Sequence, residues 1–201
     1  GRQVGTYLTE RKEKAWNRRR PVRLRGKVMG ILGLGSVGKE IAKRGKQFGM
    51  RVLGVKRNPE PVENVDQVFK PGDLEKLIPQ VDTLVVALPL TPETEHSLGE
   101  KELLLMKEGA LLFSIGRGRT IDEKALVKVL KTNRIQAVLD VFETEPLPPE
   151  SELWNLKNVV ITPHVSGVNI PEEICEEFIQ NYHRWIKGQP LIGMVDRKKG
   201  Y

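Results

Sequence analysis

From residue 27 onward, short unbroken apolar runs alternate with stretches in which apolar positions recur every three or four residues. KVMGIL, RVLGV, TLVVAL, ALLFSI, IQAVL and VVIT lack polar alternation and are rich in Val, Ile and Leu. Strands buried on both faces, as in parallel sheets, read this way. They predict strands over 27–32, 51–55, 83–88, 110–115, 135–139 and 159–162. The intervening stretches predict helices over 37–48, 73–77, 100–106 and 123–130, with Asp122 as an N-cap for the last. A longer helix is predicted over 171–187, with Pro171 suiting its first turn and Gly188 its end. A further helix is expected over 4–16, stopped before Pro21. Strand–helix alternation of this kind predicts an α/β fold of three layers, a doubly wound parallel sheet with helices on both faces.

The first run ends in GLGSVG and leads into a helical pattern. Gly33, Gly35 and Gly38 form G-x-G-x-x-G between a strand and a helix, the context in which it binds a dinucleotide pyrophosphate. Gly33 suits the tight turn, Gly35 the close approach of a phosphate, and Gly38 the packing of helix on strand. Ser36 and Val37 open the helix, whose free N–H groups favour an anion. A Rossmann domain is the expected result. NAD sites place an acid about 20 residues on, at the end of the second strand. Lys56 and Arg57 stand there instead. A basic pair attracts a 2′-phosphate, so NADP is the expected cofactor, with NAD as the alternative.

Ligands of open α/β sheets bind beyond the carboxyl ends of the strands. SIGRG, LDVFETEP and TPHVSG lie there and carry Arg117, Asp140, Glu145 and His164. Singly, each has an ordinary reading: a surface turn residue, a solvated loop carboxylate, a satisfied buried imidazole. An Arg, a Glu and a His after successive strands around one crevice form a catalytic constellation.

In order and spacing, GLGSVG, ALPLTPETEH, SIGRGRTIDEKAL, LDVFETEPLP and NVVITPH resemble the signature segments of the D-2-hydroxyacid dehydrogenases, from about residue 2 to about residue 167. The resemblance implies that Arg117 holds the substrate carboxylate and polarises its carbonyl. It implies that His164 is the general acid/base and that Glu145 pairs with the ring and fixes its orientation. It assigns Asp140 to the nicotinamide carboxamide, and Leu88, Pro89, Ile115, Gly116 and Gly167 to the cofactor lining. The implied reaction interconverts a 2-oxoacid and a 2-hydroxyacid. Glyoxylate or hydroxypyruvate is the expected substrate, because basic residues after the second strand resemble that branch, with phosphoglycerate dehydrogenation as the alternative. A nucleotide-sensing corepressor, on the same fold, is the non-catalytic alternative.

Composition narrows the class. A single cysteine, Cys175, leaves no internal disulfide and no cysteine-built metal site, and no apolar run approaches the roughly 20 residues of a bilayer span. A soluble, cytoplasmic protein is expected, as a homodimer. The net charge of +7 collects partly at 11–25 and 197–199. Without a set of interleaved aromatics it reads as a solvated face rather than a nucleic-acid platform. The first residue is Gly rather than Met, so the chain is expected to be a piece or processed product. The family's substrate domain comes largely from roughly 100 residues ahead of this region, a small domain's worth. Residues 1–187 are therefore expected to form the dinucleotide-binding domain and 188–201 a tail returning to the other domain. The chain alone is expected to bind cofactor without turnover.

Overall fold

The computed structural model describes residues 11, 14, 16–18, 21–167 and 170–195. The helix expected over 4–16 and the end of the tail fall mostly outside them. The described chain runs β1 (Val28–Leu32), α1 (Ser36–Gln47), β2 (Arg51–Val55), β3 (Gln67–Phe69), α2 (Leu74–Leu77), β4 (Thr83–Val86), α3 (Glu100–Leu104), β5 (Leu111–Ser114), α4 (Glu123–Lys131), β6 (Gln136–Leu139), β7 (Val159–Ile161) and α5 (Pro171–Ile186). All strand pairs are parallel, in the order β3-β2-β1-β4-β5-β6-β7. From β1 the chain moves outward to β3 and then returns to β4 on the other side. That reversal opens a crevice between β1 and β4, where doubly wound sheets bind ligands.

Alternate residues of β1 serve opposite faces, as the strand's twofold repeat requires. Ile31 packs with Leu34, Ala42 and Val52 under α1. Leu32 joins the larger cluster, with Leu53, Leu77, Leu84, Leu103 and Leu112. Both clusters are fully apolar, and each such buried side chain contributes roughly 1.5–3 kcal/mol. Gly45 brings α1 close to the sheet: a Cβ there would stand 3.2 Å from Val52. Asp122 caps α4 by accepting from the Ala125 N–H at 3.0 Å. The strand β3 carries no counterpart in the hydrophobic pattern, because three residues give too little period to read. The helix expected over 73–77 forms only from Leu74, behind a 3-10 turn at Pro71–Asp73.

α5 buries none of its residues. The described part of the tail folds back onto it: Asn181 donates to the Ile192 carbonyl at 3.0 Å and accepts from its N–H at 2.7 Å.

Candidate active site

At the glycine turn, Gly33 has φ +98°, and a Cβ there would lie 2.6 Å from the Ala87 carbonyl oxygen. At Gly38 a Cβ would fall 1.9 Å from the Gly33 oxygen. Both positions are glycine because the chain's own packing leaves no room. Gly35 differs: nothing of the chain lies within 4 Å of its missing Cβ, and its backbone is extended. The internal packing gives no reason for glycine there, whereas the approach of an outside group does. Gly35, Ser36 and Val37 are exposed, α1 has no side-chain cap, and its first turn holds no acid. Unsatisfied N–H groups and a positive helix end thus face outward, as a pyrophosphate requires.

Lys56 follows β2, its N–H bonded to Phe69 at 3.1 Å. Arg57, next along, lies 3.7 Å from Glu93, which extends from the loop after β4. Glu93 in turn accepts from the Thr91 hydroxyl at 2.8 Å, and this bond, ahead of the arginine's charge, holds its carboxyl below the usual range. The Arg57–Glu93 contact was invisible to sequence reading, since it joins two loops on either side of β1. Leu88, Pro89, Ile115 and Gly116 are half-buried where β4 and β5 end. A Cβ on Gly116 would meet the Leu88 oxygen at 2.5 Å, so these two strand ends close on each other.

The three candidate catalytic residues leave adjacent strands: Arg117 after β5, Glu145 after β6 and His164 after β7. The structure brings two of them into direct contact, with His164 Nδ1 2.7 Å from Glu145 Oε2. Burial, the largest influence on Glu145, raises its pKa, but the bonds from His164 and the Phe142 N–H together bring it below the ordinary value. An ionised carboxylate only accepts. Nδ1 therefore donates, and Nε2 is the ring nitrogen left to exchange a proton. His164 has φ +53°, uncommon for a residue with a Cβ, so its loop is held by other bonds.

Asp140 supplies those bonds. Its side chain is 2 % exposed. One carboxylate oxygen accepts from the Thr162 hydroxyl and, at 3.0 Å, from the Val165 N–H; the other accepts from the Ser166 N–H at 2.9 Å. Its backbone oxygen accepts from the His164 N–H at 2.9 Å. Burial pushes this carboxyl up, but the hydrogen bonds outweigh it and bring the pKa to about 2. These contacts hold the histidine loop. Thr162, the partner that sequence reading missed, was readable only as the first letter of TPH.

Arg117 is exposed, and its Nη1 donates to the Gly116 oxygen at 2.9 Å. Its turn packs on the Glu145 segment: a Cβ on Gly118 would lie 1.9 Å from the Phe142 carbonyl. Gly167 is exposed, and nothing lies within 4 Å of its missing Cβ.

The sequence profile of the NAD-binding domain of D-isomer-specific 2-hydroxyacid dehydrogenases matches residues 1–166. A glyoxylate reductase of Thermococcus gammatolerans is 49% identical over 178 residues, which cover 86% of this chain and 52% of the relative. The chain thus spans about half the length of that relative. A D-isomer-specific 2-hydroxyacid dehydrogenase of Xanthobacter autotrophicus, solved with NADPH and MES, superposes with a TM-score of 0.91 at 34% identity, covering 100% of this chain and 83% of the other. An NADPH-dependent glyoxylate/hydroxypyruvate reductase of Sinorhizobium meliloti, solved with NADP and sulfate, gives 0.91 at 29% identity, covering 100% and 65%. With a glycine turn open to a pyrophosphate and a Glu–His pair beside an arginine turn, the chain belongs to the D-isomer-specific 2-hydroxyacid dehydrogenase family and carries its NAD-binding domain.

Proposed function

We propose that the protein reduces a small 2-oxoacid to its D-2-hydroxyacid with NADPH, glyoxylate and hydroxypyruvate being the substrates of choice. The observation that carries this reading is the 2.7 Å Glu145–His164 pair on the loops beside Arg117. The names of the similar glyoxylate reductases support the substrate class. The Arg117 fork suits a carboxylate, bonding both oxygens in one plane. NADPH, when bound, would be the source of the hydride. The carbonyl oxygen must then gain a proton, and His164 Nε2 gives it, since imidazole exchanges protons near neutrality. Glu145 keeps Nδ1 protonated and the ring oriented.

Gly35, Ser36 and Val37 would hold the pyrophosphate through their N–H groups. Lys56 and Arg57 would hold the 2′-phosphate, and Leu88, Pro89, Ile115, Gly116, Asp140 and Gly167 would line the remainder. A soluble, cytoplasmic homodimer completes the proposal. The test is the loss of NADPH absorbance with glyoxylate or hydroxypyruvate in the chain joined to the family's substrate domain. His164→Ala is expected to lower turnover by about 10²–10⁴-fold while NADPH affinity holds. A variant as active as the parent would refute the assignment.

A further inference from the structure

The segment Phe142–Glu145 carries two Glu–His pairs, of which the proposed chemistry uses one. The second joins Glu143 Oε1 to His96 Nε2 at 2.9 Å. Glu143 also exchanges two hydrogen bonds with Glu123 at the start of α4. The Glu123 N–H donates to Glu143 Oε1 at 3.0 Å, and the Glu143 N–H donates to Glu123 Oε2 at 3.1 Å. His96 sits at φ +47°, a backbone that a residue with a Cβ adopts only when its surroundings impose it. Its N–H donates to the Arg119 oxygen at 2.8 Å, and Leu98 and Ile121 bridge in parallel just beyond. Arg119 pairs with Glu95, and the Thr120 hydroxyl donates to the Arg117 oxygen at 2.7 Å. Three loops are thereby fastened together: the one after β4, the Arg117 turn after β5, and the Glu145 loop after β6.

We infer that His96, Glu143 and Glu123 form a clamp that sets Arg117 against the Glu145–His164 pair, making His96 and Glu143 positioning residues for the substrate carboxylate. The inference rests on the catalytic reading above. None of the three residues need touch the substrate. Their partners lie on separate loops, so the clamp fixes a distance between loops that the sheet alone leaves free. The charged groups facing His96 are Glu143, Glu123 across it, and the Glu95–Arg119 pair on the neighbouring turn.

His96→Asn isolates the pair, because Asn tolerates positive φ and lacks the ring. In the chain joined to the family's substrate domain it is expected to raise the KM for glyoxylate or hydroxypyruvate about tenfold, the loss of a hydrogen bond to a charged group, with a smaller fall in kcat and unchanged NADPH affinity. Glu143→Gln, which keeps the acceptor, should retain most of the parent KM. In NMR spectra the amides of Gly118, Arg119 and Thr120 should shift in His96→Asn, while those of Gly33, Gly35 and Gly38 stay in place. Arg117-turn amides unmoved by His96→Asn, or an active His96→Asn protein with parental KM, would overturn the clamp. A parent that turns over no 2-oxoacid would overturn the proposed function instead, and the amide shifts would still decide the clamp.

Discussion

Two glycines three residues apart separate what the fold needs from what a ligand needs. Gly38→Ala would drive a methyl into the Gly33 carbonyl, 1.9 Å away, with backbone rather than a mobile side chain to move. Overpacking of this kind costs about 1–3 kcal/mol. Gly35→Ala meets nothing within 4 Å, so its thermal midpoint should stay close to the parent's. The added methyl instead occupies the approach of a pyrophosphate, and NADPH affinity should fall by about tenfold or more, the equivalent of about 1.4 kcal/mol. Thermal melts and cofactor titrations on both variants check this. A Gly35→Ala protein that melts early and binds normally would reverse the assignment.

At the scale of elements, Asp140 at the end of β6 is what shapes the loop after β7. Its pKa of about 2 lies below the ordinary carboxylate value of about 3.9. The folded chain therefore takes up this proton less readily than the unfolded one. The stabilisation is complete above about pH 4 and is lost as pH falls toward about 2. Asp140→Ala should lose roughly 1.5–3 kcal/mol at neutral pH, measured by denaturant melts, and the gap to the parent should narrow over that acid range. A gap that stays constant from pH 7 to pH 2 would show that the carboxylate is not what holds the loop. Sequence patterning found six of the seven strands, because each central strand is a continuous apolar run. It missed β3, three residues at the sheet edge. It placed Arg117, Glu145 and His164 after successive strands, and the structure has them after β5, β6 and β7. It could not find the Thr162, Glu93, Glu123, Glu143 or His96 contacts. Those depend on which loop lies beside which, and that order emerges only when β4 to β7 are laid side by side. Asp140 was legible as a polar residue ending a strand, but not that its contacts serve the next loop.

Among the described residues, β1 to β6 carry most of the buried apolar core, whereas Val160 of β7 is half exposed and α5 buries none of its residues. Ile174, Phe178, Tyr182 and Trp185 recur at helical spacing and are each at least half exposed. An exposed apolar stripe of this kind favours association. The chain is expected to sediment as an oligomer, and Phe178→Glu with Trp185→Glu should shift it toward monomer. A parent that is monomeric at all concentrations would rule out self-association through this face. Among the described residues no helix is long and apolar enough to cross a membrane, and no group of His, Cys, Asp or Glu is placed to hold a metal. What the molecule offers is the crevice between β1 and β4, with the open glycine turn on its floor and Lys56–Arg57 at one end. The most direct measurement is a fluorescence titration of the chain with NADPH and with NADH, repeated on Lys56→Asp. A charge-assisted contact to the 2′-phosphate contributes roughly 1.5–3 kcal/mol. NADPH should therefore bind about one to two decades more tightly than NADH, and Lys56→Asp should narrow that difference. Equal affinities in the parent, or binding of neither cofactor, would contradict an NADP site in this crevice.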